Sequence, residues 1–348
     1  MITSKVIVIA VAALFIGGAT VAVAFWPEGE SGKGGWYSWD PAVGEVDYSK
    51  ISATPKIIDA IEGIYGIVYG DLPEKVSVPE GSELTYASLV EHTDDGITIN
   101  GARRGAGGTP TATPVSFTTD EIKDMRIISY GLGFTDSYVQ MLGADVWDSV
   151  VAAGNTTWNG YSANGMAGGT LGSEYTLSVD SLNAFFKDRD GWEDETFCLV
   201  VWGYITNYDA LMTAISAIGG NVKVLCIDYY AITSLGYLLS VVDALGQLVG
   251  IDTADNASLS DFQDRLYSMT ASITENDLTV YMELPAGTSP GTGTLTQLCF
   301  DVLELNNINK TAGTSILSDE VVVTSMPDVI LFDVKDTRTM DQRMRLVT

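Results

Sequence analysis

The sequence predicts an α/β fold built on parallel sheets. From Ser116 onward, short apolar runs alternate with amphipathic helical stretches, the pattern of parallel strands whose crossover helices cover both sheet faces. With 348 residues, 46% of them hydrophobic, the chain can bury two packed lobes, or a core domain with an extension. Two consecutive helical patterns between 233 and 273 interrupt the alternation, and a bilobed chain would pass from one lobe to the other there.

The N-terminal run Val6–Trp26 is apolar and uncharged, matching the roughly 20 residues that span a bilayer as a helix. Lys5 precedes it and Glu28 and Glu30 follow, so the positive-inside rule puts the bulk of the chain outside. Two readings of residues 1–26 stand. One is an uncleaved transmembrane anchor with Phe25 and Trp26 at the outer interface; the other is a signal peptide cleaved at the small-x-small triplet Ala22-Val23-Ala24. Both export the protein. Three N-x-[ST] sequons, at Asn155, Asn256 and Asn309, are compatible with export.

Residues 27–35 read as a flexible tether, and residues 36–115 as an N-terminal extension. Within the extension, Pro55–Tyr65 has helical periodicity and 102–114 (ARRGAGGTPTATP) reads as a Gly/Pro/Thr loop. Thr118 and Glu121 have capping-box spacing. Strands follow at Arg126–Tyr130, Phe197–Trp202, Val222–Asp228, Thr279–Leu284 and Val329–Phe332. Helices are expected at Phe134–Leu142, Ser178–Phe186, Tyr208–Ile218, Thr233–Val249, Leu259–Ile273 and Leu295–Leu305. The division is then an N-terminal lobe at 116–232, a connecting helix at 233–252 and a C-terminal lobe at 253–348.

Charge and residue inventory exclude several functions. Forty-five acidic against 18 basic residues give a net charge of −27, which repels phosphate backbones and argues against nucleic-acid binding. The one histidine, His92, excludes a metal site built on several imidazoles. No G-x-S-x-G elbow is present, and no carboxylate pair has a spacing that singles it out for glycosidase-like work. The cysteines Cys198, Cys226 and Cys299 lie in apolar runs without a CxxC pair, as buried thiols do; the sequence does not decide whether two of them form a disulfide. The chain is not expected to be an enzyme and no cofactor or metal ligand set is expected.

Aromatic residues do concentrate at strand ends. Tyr130 and Phe134 flank the first β–α turn, Trp202 and Tyr204 follow the second strand, Tyr229 and Tyr230 the third, and Tyr281, Met282 and Glu283 end the fourth. Ligands of open α/β sheets bind beyond the carboxyl ends of strands, and rings converging there suit a large flat or bulky ligand. The candidate ligand-binding set is Tyr130, Phe134, Trp158, Trp202, Tyr204, Tyr229, Tyr230, Met282 and Glu283.

The order of segments resembles the class III substrate-binding proteins of ABC importers for siderophores, haem and cobalamin. The stretch 126–154 is similar to that family's opening strand and helix, with Arg126, Leu142, Gly143 and Ala144 matching. The stretch 224–269 resembles its central strand ending in Asp, long helix and LG-x-x-x-G element, matched by Leu245, Gly246 and Gly250. The stretches 280–309 and 317–332 are similar to its Gly-rich loop and its closing PDVI strand. The resemblance implies two Rossmann-like lobes joined by a long helix, with a ferric chelate or a corrinoid, and hence iron or cobalt, held between them. It implies docking to an ABC permease and its ATPase through one acidic residue per lobe, by position Asp180 and Glu320. The family usually continues past PDVI with a final helix and strand, so on this resemblance the C-terminal lobe is incomplete, and residues 36–115 precede its usual start. Adhesion or sensing by a surface domain of the same fold is the alternative from another class.

Overall fold

A computed structural model describes residues 7–11, 15–16, 19–20, 57–104, 109–130, 141–142, 149–153, 172–173, 176–177, 179–187, 191–202, 208–219, 221–228, 233–274, 277–284 and 287–333. In chain order the main elements are β1 (Ile7–Val11), α1 (Ile57–Val68), β2 (Val90–Thr93), β3 (Gly96–Arg104), β4 (Pro110–Thr118) and α2 (Thr119–Lys123). There follow β5 (Met125–Tyr130), β6 (Val150–Ala153), α3 (Val179–Lys187), β7 (Thr196–Trp202), α4 (Tyr208–Ile218) and β8 (Asn221–Ile227). Then come α5 (Leu235–Leu248), α6 (Ala257–Ser272), β9 (Thr279–Glu283), β10 (Thr288–Pro290), α7 (Leu295–Val302), β11 (Asn306–Asn307), β12 (Thr314–Ile316), α8 (Asp319–Ser325) and β13 (Val329–Asp333).

Among the described residues two four-stranded sheets organise the chain, and every pairing in both is parallel. Their orders are β8-β7-β5-β6 and β1-β13-β9-β11. The α/β class with parallel sheets read from the sequence is therefore the observed one. Alternation along the first sheet sends Ile127, Cys198, Val200, Leu225 and Ile227 into one apolar cluster. It sends Ile128, Phe197, Leu199, Val201 and Val224 into another, closed by Leu182 and Phe186 of α3 and Leu211 and Ile215 of α4. Burial on both faces is what parallel strands require.

Helix α5 carries the chain from the first sheet toward the second. Leu238, Leu239, Val241, Val242, Ala244, Leu245 and Leu248 are all buried, and they join one continuous cluster with Val280, Met282 and Leu331 of the second sheet. The two glycines of the LG-x-x-x-G element have separate tasks. A Cβ on Gly246 would lie 2.6 Å from the Thr253 methyl. Gly250, at φ 73°, ends the helix in a Schellman motif, with Ile251 N donating to Gly246 O at 2.9 Å and Gly250 N to Gln247 O at 3.1 Å.

The extension is part of the same core. Ile57, Ile58, Ile61, Ile64 and Tyr65 of α1 are buried in the central cluster. Arg265 of α6 pairs with Glu62 and Asp59 of α1, and the Tyr65 hydroxyl meets Ser272 Oγ at 2.7 Å. The stretch read as a loop at 102–114 instead supplies the arms of a hairpin, β3 and β4, within the antiparallel sheet β2-β3-β4. Its two prolines, Pro110 and Pro114, sit on the edge strand β4, where a missing N–H is tolerated.

Most of the apolar run Val6–Trp26 lies outside the described residues. The part that is described is strand rather than helix: Ile7–Val11 pairs in parallel with Val329–Asp333. Among the described residues no helix is long and apolar enough to cross a membrane. A β-branched apolar run serves as either element, and the open edge of β13 offers it backbone partners. The helix expected at Phe134–Leu142 also lies largely outside the described residues; its last two, Met141 and Leu142, are helical and buried.

Helix α7 ends in a second Schellman motif, but its left-handed position is Glu304, at φ 55°, with Leu305 N donating to Phe300 O at 2.8 Å. A side chain there costs about 1 kcal/mol or more. Glu304→Gly should raise stability by about 0.5–1 kcal/mol, read as a higher denaturant midpoint at unchanged slope in equilibrium unfolding.

Candidate ligand-binding site

The strand ends of the first sheet finish level with one another. Tyr130 is the last residue of β5, in register with Val201, and Trp202 is the last of β7, in register with Ile227. Asp228 follows directly. A residue at the end of β8 would lie open to solvent if that edge were uncovered. Instead Asp228 is 2% exposed, because the β3–β4 hairpin lies along β8.

Three contacts fix the hairpin. At the start of β8, Lys223 Nζ donates to Ser116 O at 2.8 Å and to Glu121 at 2.6 Å. In the middle, Gly101 comes so close that a Cβ would stand 2.6 Å from Cys226 O, a position only glycine fills. At the end, Arg104 grips Asp228 with two bonds, Nε to Oδ1 at 3.2 Å and Nη2 to Oδ2 at 2.8 Å.

The chemistry around these contacts follows from burial and charge. Burial raises the Glu121 carboxyl, but the Lys223 ammonium and the Thr118 N–H and hydroxyl together outweigh it and hold the group below its ordinary 4.5. The predicted capping box is complete, with Glu121 N donating to Thr118 Oγ1 and Thr118 N to Glu121 Oε2. Tyr237, in the first turn of α5, is pushed up to about 12 by burial and then by the Asp228 carboxylate, against the pull of Arg104. Burial raises Cys226 to about 11 and Cys299 to about 12, and Cys198 higher still. All three cysteines are free and buried, and none has the lowered pKa of a nucleophilic thiol. Arg103, the residue before Arg104, lies over the Tyr208 ring at 4.4 Å.

At the strand ends of the second sheet, Glu283 is in register with Phe332 and is 2% exposed, accepting the Tyr281 hydroxyl at 3.1 Å. Met282 is fully buried and belongs to the central apolar cluster. Strand alternation sends it into that cluster, which also holds residues of α5 and α7. The Gly-rich loop after β9 is knitted by two buried asparagines. Asn307 donates to Pro290 O and Gln297 Oε1, and Asn309 to Ser289 O at 2.7 Å while its Oδ1 accepts from Thr311. The sequon at Asn309 is therefore a fully buried structural amide. At Asn256 the side chain caps α6 and donates to Leu142 O. Asn155 lies outside the described residues.

Of the candidate set, Tyr130 and Trp202 stand together at one sheet end. Phe134, Trp158, Tyr204, Tyr229 and Tyr230 lie outside the described residues. Asp180 and Glu320 are exposed, each in the first turn of its helix, α3 and α8. His92 is exposed on β2. Among the described residues no group of three His, Cys, Asp or Glu side chains could hold a metal ion. Sequence reading did not anticipate Arg103, Arg104, Tyr208 or Tyr237. The available signal was two adjacent arginines in a chain with only 18 basic residues.

No family model and no curated protein matches this sequence. Solved structures to which this chain is similar include the periplasmic vitamin B12 binding protein BtuF of Vibrio cholerae, 14% identical, covering 60% of this chain and 75% of that one with a TM-score of 0.42. A periplasmic haem-binding protein from Pseudomonas aeruginosa is 18% identical, with 64% and 76% covered and a TM-score of 0.44. CeuE of Helicobacter pylori, in a nickel–histidine complex, is 14% identical, with 71% and 75% covered and a TM-score of 0.45.

Removing one partner of a buried ion pair leaves an uncompensated charge, a loss of about 3–5 kcal/mol, whereas removing both is far milder. Arg104→Met should therefore destabilise strongly, Asp228→Asn much less, and the double variant should regain most of the loss. A denaturation double-mutant cycle reads the coupling directly.

Proposed function

We propose that the chain is the extracytoplasmic binding subunit of an ABC importer, capturing a ferric chelate of the siderophore type and handing it to a permease. The observation that carries this is the pair of all-parallel sheets joined through one buried helix, with aromatic residues Tyr130 and Trp202 at the strand ends of the first. Strand ends of parallel sheets are where such folds hold ligands, and a stiff connection confines closure around a ligand to a modest movement. The segment order shared with class III substrate-binding proteins supports the same reading. Asp180 and Glu320 are the residues for docking on the permease, which its ATPase drives.

The panel that tests this is a ferric tris-hydroxamate, a ferric tris-catecholate, haem and a corrinoid, titrated against intrinsic fluorescence. A saturable quench by a ferric chelate is expected. Saturation by the corrinoid or haem alone would move the cargo within the class, and a flat response to all four would end the capture reading in favour of a surface adhesion or sensing domain.

Export in this proposal rests on Val6–Trp26, serving as anchor or signal. The pairing of Ile7–Val11 with Val329–Asp333 favours a second reading, in which the start of that run is kept as an edge strand of the folded domain. A variant lacking residues 1–35 separates them. The export reading expects it to melt at the temperature of the full chain, and the edge-strand reading expects a clear loss.

A further inference from the structure

We infer that Arg103, supplied by the hairpin of the N-terminal extension, is a ligand-recognition residue that selects chelates carrying negative charge. The inference rests on the capture reading above and narrows its substrate class.

Consecutive strand residues project to opposite faces, and the two arginines at the end of β3 accordingly have different partners. Arg104 is neutralised by the buried Asp228. Among the described residues the carboxylate paired with Arg103 is Asp209, at 3.6 Å, and the Asp209 side chain is 97% exposed. So open an ion pair contributes little. What holds the guanidinium is the Tyr208 face, 4.4 Å from its central carbon, an attraction that leaves the N–H groups free to meet a ligand's oxygen atoms. Arg104 is bonded to Asp228, directly after β8, and Ile227 is in register with Trp202, so the adjacent Arg103, against Tyr208 at the start of α4, stands at the strand ends where the ligand is proposed to sit.

The charge balance of the chain bears on this position, where the pairing is loose as it also is for Arg126 with Glu195 at 3.7 Å. Acidic residues outnumber basic ones 45 to 18, and an anion approaching such a surface is repelled almost everywhere. Lys75, Lys223 and Arg265 are each held by carboxylates at 2.6, 2.6 and 3.1 Å. At the rim, Arg103 and Arg104 balance Asp209 and Asp228, so the site is locally neutral and one of its two cations is loosely held. Anionic oxygen donors, such as those of a catecholate or carboxylate chelate, fit a planar guanidinium. A neutral hydroxamate chelate has no need of it.

The test uses the full chain, titrated by fluorescence with a ferric tris-catecholate and a ferric tris-hydroxamate. Arg103→Gln should weaken the catecholate complex about tenfold, the loss of one charge-assisted contact, and leave the hydroxamate complex unchanged. Arg103→Lys should fall between. Asp209→Asn, which removes the competing carboxylate, should tighten the catecholate complex, and it carries the test if Arg103→Gln fails to fold. Equal effects on both chelates, or no effect of either substitution on the catecholate, would overturn the role of Arg103 while leaving capture intact. Failure of the unmodified protein to bind either chelate would overturn both the role of Arg103 and the capture of a ferric chelate.

Discussion

The open edge of β8 is the constraint on which the first lobe depends. A four-stranded parallel sheet has two edges, and an exposed edge presents unpaired backbone groups and a template for aggregation. Here the paired strands β3 and β4 run along β8 from Lys223 to Asp228. The pairing at its end is the demanding part, since a carboxylate with a 3% exposed side chain is tolerable only with a bonded cation beside it. Arg104 supplies that cation, and Gly101 permits the approach that brings it there. The extension is thus built into the lobe through a contact that neither part can satisfy alone.

The same logic holds at the centre of the molecule. Asp243 is buried in the middle of α5, 4% exposed, and is satisfied by neutral donors: Ser88 Oγ at 3.1 Å, Gln247 Nε2 at 2.9 Å and Thr253 Oγ1 at 2.5 Å. Ser88 belongs to the extension and Thr253 to the turn after the helix, so one carboxylate ties the helix and its following turn to the sequence-distant extension. Burial and the neighbouring Asp243 together raise Tyr86. A helix enclosed this completely by apolar side chains and fixed by a buried polar hub resists bending, and relative motion of what it connects would be confined to its ends.

Much of this fold was legible because the signals were local and periodic. The strands β5, β7, β8, β9 and β13 are short β-branched runs, and α3 to α7 carry apolar spacing with Ser, Asn or Thr caps on α5, α6 and α7. The hairpin was not legible. Its glycines and prolines punctuate a sequence like a loop; the neighbouring β8 explains why Gly101 is needed, and the edge position of β4 why its prolines are tolerated. Met282 misled for the opposite reason: it ends an aromatic-rich strand, yet alternation sends its side chain inward. The burial of Asn309 was not legible because a sequon triplet carries no information on burial.

Taken with the proposed function, the two sheets contribute unequally. At the first, the strand ends carry Tyr130 and Trp202 with a charged border in which Arg103 and Asp209 are partly or fully exposed. At the second, Glu283 is buried against Tyr281, and the following loop is locked by Asn307 and Asn309, with Gly291 so tightly placed that a Cβ would meet Thr311 O at 2.1 Å. A loop held that firmly serves as a preformed wall. Discrimination between ligands would then fall on the first sheet's rim, where an element outside the sheet itself, the hairpin, decides the charge. Binding energy spent on a preorganised wall is not lost to ordering, so variation in the hairpin can alter ligand preference while the rest of the scaffold stays fixed.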